Sequence, residues 1–83
     1  MKILKETDYK TKDFYTSCLL LALGFKFERL ERGDDRFSYF IFEDPRIEAD
    51  STVSRYWNRQ QQIEAKDLVD AIHDLKAILY SKP

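Results

Sequence analysis

Along residues 36–43 the apolar positions fall on both odd and even places, without helical periodicity. Aromatic and β-branched side chains suit a pleated, packed surface, so this stretch is predicted to be a β-strand. Odd and even side chains of a strand point to opposite faces. The odd set is Phe37, Tyr39 and Ile41, and the even set is Ser38, Phe40 and Phe42. Both sets are largely apolar, which predicts a strand in the interior of a sheet.

A second strand is predicted over residues 25–32, followed by a turn at residues 31–36 in which Gly33 can adopt a positive φ. An even number of connecting residues makes the two strands share faces. The Phe-rich face then carries Phe25, Phe27, Arg29, Ser38, Phe40 and Phe42. The mixed face carries Lys26, Glu28, Leu30, Phe37, Tyr39 and Ile41. We expect the Phe-rich face to form the core and the mixed face to be half-exposed.

One helix is predicted before this hairpin, and another is predicted at the end of the chain after it. The first runs from Lys12, with Asp8 or Thr11 as its candidate N-cap, and Gly24 should end it in the left-handed conformation. Its apolar residues lie almost all round, so it should be well buried. The last helix runs from Ala65 to about Tyr80. Its apolar stripe consists of Leu68, Ile72, Leu75 and Leu79, with Val69 and Ile78 beside it.

A shorter helix is predicted between the hairpin and the last helix. Ser51 or Thr52 could cap it, and Asn58 could end it. With a short first strand at residues 3–6, the order of elements becomes β-α-β-β-α-α. This order predicts a single α+β domain over residues 1–83, with a small antiparallel sheet and its central hairpin packed against helices.

Composition narrows the class of protein. The 83 residues are 43% hydrophobic and 35% charged with a net charge of −1, which excludes a disordered or membrane-spanning chain. The net charge also argues against a general polyanion binder, although local basic patches stay open. The one cysteine, Cys18, cannot form an internal disulfide, and the N-terminus lacks the apolar segment of a secretion signal. We therefore expect a cytoplasmic protein.

The residues that could carry chemistry have simpler interpretations. Cys18 lies in an apolar helix, whereas a catalytic cysteine needs a nearby base and an electropositive setting. His73 lies near Asp70 and Asp74, but a solvated acidic stripe explains that pattern better than a metal site with converging ligands. The two aspartates at 34–35 are typical turn residues. We expect no enzyme activity, no metal and no cofactor.

Rings interleaved with cations give the one functional signal. Single-strand nucleic acid binders stack bases on aromatic rings flanked by Arg and Lys. Arg32 and Arg36 lie near the turn, and residues 55–59 interleave two arginines with two aromatics, the arginines being spaced to share one helix face. The candidate interface residues are Lys26, Leu30, Phe37, Tyr39, Ile41, Arg55, Tyr56, Trp57 and Arg59.

The same residues also fit a protein contact. If the helices cover only one face of the central strand, the other apolar face marks an interface, and a two-fold dimer is the common closed solution. We therefore expect a small non-enzymatic protein-interaction module, a homodimer that buries Tyr39, Ile41 or the region of Trp57. The alternative is a single-stranded nucleic acid-binding domain that uses the mixed face. No membrane partner is expected.

Six segments of the chain carry a resemblance to a known family. They are TKDFY at 11–15, LGF at 23–25, YFIFE at 39–43, YWN at 56–58, LVDAI at 68–72 and LK at 75–76. Together they resemble a family of small uncharacterised bacterial and phage-type domains, a domain of unknown function. The resemblance implies one compact α+β domain in a bacterial, phage or mobile-element context. It implies no catalytic residue, because no segment is a chemical signature.

Overall fold

The computed structural model describes residues 7–33 and 37–81. Within these residues the elements follow the predicted order β-α-β-β-α-α and form an α+β fold. They are β1 (Tyr9–Thr11), α1 (Phe14–Ala22), β2 (Lys26–Arg32), β3 (Ser38–Glu43), α2 (Ala49–Trp57) and α3 (Ala65–Tyr80). The strands form an antiparallel sheet in the order β1-β3-β2. The predicted strand at residues 3–6 and the turn residues Asp34, Asp35 and Arg36 lie outside the described residues.

Helix α1 begins later than predicted, because Asp13 is its N-cap and neither Asp8 nor Thr11 is. The Asp13 carboxylate accepts hydrogen bonds from the backbone N–H two residues on, at 3.3 Å, and from the Thr16 hydroxyl, at 2.6 Å. Thr11 instead ends β1, and its hydroxyl accepts a hydrogen bond from the Asp13 backbone N–H at 3.1 Å. Thr11, which was expected to cap the helix, thus belongs to a strand, and its hydroxyl orients Asp13, the residue that does cap it.

The end of α1 is a Schellman motif, as the glycine predicts. The backbone N–H of Gly24 donates to the carbonyl of Leu21 at 3.1 Å, and that of Phe25 donates to the carbonyl of Leu20 at 3.0 Å. Gly24 has a φ of 98°, so its predicted left-handed role is confirmed.

Helix α2 begins before the predicted caps Ser51 and Thr52. Asp44 is buried at the end of the hairpin, and its carboxylate accepts hydrogen bonds from the backbone N–H groups of Glu48 at 2.8 Å and Ala49 at 3.0 Å. This carboxylate satisfies donors that the first turn of a helix leaves unpaired. The helix therefore starts where Asp44 can reach it.

The end of α2 repeats the geometry of the end of α1 without a glycine. Asn58 is the C-cap, as predicted, and Arg59 follows it with a φ of 61°. The backbone N–H of Arg59 donates to Tyr56 at 3.0 Å, and that of Gln60 donates to Arg55 at 2.8 Å. Arg59 thus takes the left-handed position of a Schellman motif, beyond the last turn of the helix.

Helix α3 has the predicted bounds, Ala65–Tyr80. Leu75 and Ala71 are buried, and most of the predicted stripe packs against the core, whereas Val69 is half-exposed outside it. None of the described helices has both the length and the apolar character needed to cross a membrane.

A β-bulge at Glu28 decides which side chains share a face of the sheet. The residue pairs on either side of it are Phe27–Phe42, Arg29–Ile41 and Leu30–Phe40. Leu30 therefore lies on the face of Phe40, and Arg29 on the face of Ile41, the reverse of the predicted assignment. In addition, Arg32 pairs with Ser38, so an odd number of residues, 33–37, separates the paired strands.

The core lies between the sheet and the helices. Phe40 and Phe42 face α1 and α3, as the Phe-rich pattern predicts. The buried cluster consists of Cys18, Leu20, Phe40, Phe42, Ala49, Ala71 and Leu75. We call this side of the sheet the helix-covered face. The opposite side, the outer face, carries Lys10, Lys26, Glu28, Arg29, Glu31, Tyr39, Ile41 and Glu43.

Candidate functional site

The outer face is charged, so the prediction of an exposed apolar face is wrong. The Glu31 carboxylate lies 3.3 Å from the Lys10 ammonium and 3.1 Å from the Arg29 guanidinium. Arg29 also lies 3.0 Å from the Glu28 carboxylate. The bulge causes this arrangement, because it turns Arg29 to the outer face beside two carboxylates.

Three predicted interface residues lie elsewhere than the prediction required. Ile41 is fully buried within one copy of the chain, so it has no surface for a partner. Leu30 packs against the core on the helix-covered face. Lys26 is exposed, but it lies at the far end of the outer face, where its ammonium is 3.7 Å from the Glu43 carboxylate.

A cleft of about 480 Å³ lies at the hairpin end of the outer face. It is lined by Lys10, Lys12, Glu31, Arg32, Gly33, Phe37 and Tyr39. We call it the basic–aromatic cleft, since three cations and two rings share it with one carboxylate. Sheet pairing brings these residues together from three separate segments of the chain.

A lysine ammonium group lies over each of the two rings of the cleft. The Lys10 ammonium lies 4.3 Å from the centre of the Tyr39 ring, and the Lys12 ammonium lies 4.4 Å from the centre of the Phe37 ring. Lys10 is paired with Ile41 in the sheet and therefore reaches Tyr39 diagonally, within the range of long side chains. Phe37 is 49% exposed, so this ring is the more accessible of the two. These are cation–π contacts, which hold ammonium groups over ring faces.

Gly33 shapes the wall of the cleft. A Cβ atom at this position would lie 2.5 Å from Cε2 of Tyr39, so only glycine lets the ring approach the backbone this closely. The predicted reason for this glycine, a positive φ, is wrong: of the described glycines, Gly24 is the one with a positive φ. Gly33 also closes the hairpin, since its N–H donates to the carbonyl of Phe37 at 3.0 Å.

The carboxylate in the cleft is held ionised. A hydrogen bond from Lys10, and next one from Arg29, lowers the pKa of Glu31 below its ordinary value. Its charge is therefore shared between two cations of the outer face. Lys12 is exposed and lies over the Phe37 ring, which leaves this part of the cleft cationic. Arg32 also lines the cleft, but it pairs with Ser38, whose side chain is on the helix-covered face.

The predicted Arg55–Arg59 segment does not join the cleft. It lies at the end of α2, a helix whose Ala49 packs into the core on the helix-covered face. Arg55 donates to the Gln61 side chain at 3.1 Å and to the Thr52 hydroxyl at 3.2 Å. Because Arg59 lies beyond the last turn, the prediction that the two arginines share a helix face is wrong.

Two exposed rings lie at the same end of α2. Tyr56 and Trp57 contact each other edge to face, with ring centres 5.4 Å apart, and Trp57 is 68% exposed. Of the predicted interface residues, the structure thus brings Phe37 and Tyr39 to one site and Tyr56 and Trp57 to another.

Sequence reasoning missed Lys10 and Lys12, the lysines of the cleft. Their spacing of two was a usable signal, since it places both side chains on one face once the segment forms a strand. The sequence instead predicts a helix that begins at Lys12 with its cap at Asp8 or Thr11, and a helix would not place these two lysines on one face.

The remaining reactive residues lie outside the cleft. Cys18 is fully buried in the core, as predicted, and burial, with a smaller effect of Asp13, raises the pKa of its thiol to about 11. His73 is exposed on α3. Within residues 7–33 and 37–81, no group of three His, Cys, Asp or Glu residues could hold a metal ion.

Comparison with known proteins gives a family and no activity. No curated protein and no solved structure matches the chain. One family model does match, over residues 6–81, and it is described as a domain of unknown function, DUF5659. The match covers nearly all of the sequence, including the strands, the helices and the cleft. The chain therefore belongs to the DUF5659 family of domains of unknown function.

Proposed function

We propose that the chain is a small non-enzymatic binding domain that takes single-stranded nucleic acid in the basic–aromatic cleft. The observation that carries the proposal is the pair of lysine–ring contacts, Lys10 with Tyr39 and Lys12 with Phe37. Such binders combine rings that stack on bases with cations that contact phosphates. The cleft contains both the aromatic rings and the cations that such binding needs.

The geometry favours a single strand over a duplex. The volume of the cleft lies within the range of small-ligand pockets, about 300–1,000 Å³, so it suits a short unpaired stretch. Phe37 is the ring that a base can reach first, because half of its surface is exposed. A base that stacks there displaces the Lys12 ammonium, which is then free to contact the adjoining phosphate.

A net charge of −1 is compatible with this proposal, because the acidic side chains of α3 contribute to the total without lining the cleft. The cations of the cleft lie on the sheet, while Asp67, Asp70 and Asp74 are exposed on α3. Local potential, and not the total charge, steers a charged ligand to its site. The acidic helix on the other layer therefore leaves the cleft attractive to phosphate.

Salt-dependent binding of a labelled oligothymidylate tests the proposal. Each phosphate contact in a single strand contributes about 0.7 to the log–log salt slope, so Lys10→Ala with Lys12→Ala should flatten it by about 1.4. Phe37→Ala should weaken binding by about 1–3 kcal/mol through lost stacking. The control is Arg55→Ala with Arg59→Ala, which removes the same charge away from the cleft and should leave affinity unchanged.

Two results would contradict the proposal. One is the absence of any binding by the parent protein at low salt. The other is a loss of affinity in the Arg55 and Arg59 control as large as that in the cleft variant. In the second case the binding surface would lie on α2, as the arginine–aromatic interleaving there first suggested.

The exposed Tyr56–Trp57 pair favours a second function, a protein-interaction module. Large amphipathic rings exposed together are typical of protein contacts. Trp57 is the single tryptophan of the chain, so its fluorescence reports burial of this pair directly. If self-association uses these rings, emission should shift to shorter wavelength as concentration rises, and an unchanged spectrum in an associated protein would exclude the pair as the contact.

We also propose a cytoplasmic location. The chain has one cysteine, and Cys18 is a free thiol in the core. A chain of this size that relies on packing without a disulfide suits a reducing compartment. Location of a tagged protein in fractionated cells would test this.

A further inference from the structure

The outer edge of β2 is an unpaired strand edge within the described part of the chain. β2 is bonded to β3 on one side and has no described strand on the other. It has 7 residues, Lys26–Arg32, which is a full-length strand. An exposed edge of this kind offers its backbone donors and acceptors to another strand.

The bulge gives this edge an unusual order of faces. Glu28 and Arg29 are joined at 3.0 Å, and Arg29 and Glu31 at 3.1 Å, so all three side chains lie on the outer face. Phe27 and Leu30 lie on the helix-covered face. From residue 26 to residue 31 the faces are therefore outer, covered, outer, outer, covered, outer. This order is the same in both directions.

A strand with a symmetric order of faces can pair with its own copy. Opposite residues of an antiparallel pair must share a face. The condition is met when the two-fold axis passes between Glu28 and Arg29, and every other register that spans the bulge places an outer residue opposite a covered one. The opposed residues are then Lys26 with Glu31, Phe27 with Leu30, and Glu28 with Arg29.

The register that matches the faces also matches the charges. Both Lys26 residues lie opposite Glu31 residues, and both Glu28 residues lie opposite Arg29 residues. The apolar residues Phe27 and Leu30 face each other. Opposite charges across strands stabilise a sheet, and like charges destabilise it. In this register no like charges are opposed.

We propose that the chain forms a two-fold homodimer in which the β2 strands of two copies pair antiparallel along this edge. The two sheets then continue into one another, and Glu31 is a residue that this edge shares with the basic–aromatic cleft. The accessible charges of this register are those of Lys26 and Glu31, whose side chains are 76% and 39% exposed. The Glu28 and Arg29 side chains are 2% and 20% exposed and keep the ion pair within their own copy, so they contribute little to the contact between copies.

Charged side chains and β-bulges on an edge also protect proteins from pairing, and β2 has both, which is the competing explanation of this strand. Protection works best with one repeated sign, most often lysine, because identical edges then repel. β2 instead carries both signs in an order that is complementary to itself. Protection of the edge predicts the mass of a monomer in solution, whereas a self-complementary edge predicts the mass of a dimer.

The test is a charge-exchange experiment on the solution mass. Lys26→Glu places two carboxylates opposite each other on each side of the axis, and Glu31→Lys does the same with two ammonium groups. Each variant alone should therefore dimerise about tenfold more weakly than the parent. An equimolar mixture should recover the dimer as a heterodimer, because each new charge then meets its opposite. Lys76→Glu, with the same charge change on α3, is the control and should dimerise like the parent.

Light scattering or sedimentation of these samples decides the matter. A parent that stays monomeric up to millimolar concentration overturns the proposal. So does a dimer that Lys26→Glu leaves intact, or a mixture that does not recover association. If Glu31→Lys fails to fold, amide exchange of the parent gives the decision: β2 amides should slow as concentration rises, and exchange independent of concentration overturns the proposal.

Discussion

Phe42 and Glu43 are neighbours on β3, yet they belong to surfaces with opposite physical roles. Phe42 packs with Phe40 against three helices, and both side chains are withdrawn from water. Glu43 lies on the outer face, where it pairs with Lys26. One strand therefore supplies the centre of the core and one row of a charged surface.

The two faces differ in how much stability they contribute. Full burial of a large apolar side chain is worth about 1.5–3 kcal/mol each, while an exposed ion pair contributes about 0–1 kcal/mol. The helix-covered face should thus determine whether the chain folds. Apart from the buried side chains of Ile41 and Glu28, the outer face can be changed at low cost, which leaves its exposed residues available for binding.

Replacing a core phenylalanine should produce the largest effect. Phe40→Ala removes a ring that is 2% exposed and should destabilise the fold by about 3–5 kcal/mol. In a chain of this size that loss leaves little net stability. Chemical denaturation measures it, and a variant that unfolds near the parent midpoint would show that the helix-covered face does not dominate.

Closing the space at Gly33 should have an intermediate effect. Gly33→Ala forces the Tyr39 ring away from the backbone and should cost about 1–3 kcal/mol, the usual range for overpacking. The shift should also separate Tyr39 from Lys10 and weaken oligothymidylate binding. Denaturation and binding on the same variant test both points, and Ala22→Gly on α1 is a control that changes stability without reaching the cleft.

The smallest expected effect is on the stability of the fold at low pH. Glu31 has a lowered pKa in the folded chain, so its contribution to stability is present above the ordinary carboxylate pKa and is lost as pH falls through the folded value. Glu31→Gln should be slightly less stable than the parent at neutral pH, and the two should converge in acid. Stability curves that stay parallel down to low pH would contradict the assignment of these hydrogen bonds.

The helix-covered face was largely predictable from the sequence. A run of apolar residues with a helical period, a glycine after α1 and alternating rings on β3 each act locally, so the sequence predicts α3, Gly24 and the inward side of Phe40 and Phe42. These features need no knowledge of the partner element. Their agreement accounts for the correct placement of the hairpin and of the first and last helices, but not for β1 (Tyr9–Thr11), a segment that the sequence pattern did not predict as a strand.

The outer face was not predictable in the same way. The set of residues on this face depends on a bulge at Glu28, which the local sequence pattern does not predict. The resulting one-residue shift exchanges the faces of Arg29 and Leu30. The cleft depends on Lys10 and Lys12 reaching rings more than twenty residues away in the chain. Pairing of distant strands, which decides such contacts, is a property of the fold rather than of a segment.

The cleft lies at one end of β2, and this position has a consequence for binding strength. In the proposed dimer, two copies of the cleft open on the same side of the joined sheet, separated by roughly 23 Å, or about seven residues of strand. An oligonucleotide long enough to reach both gains avidity, since its second contact occurs at the high effective concentration set by the first. A stacked strand rises about 3.4 Å per nucleotide, so affinity should increase steeply beyond about seven nucleotides.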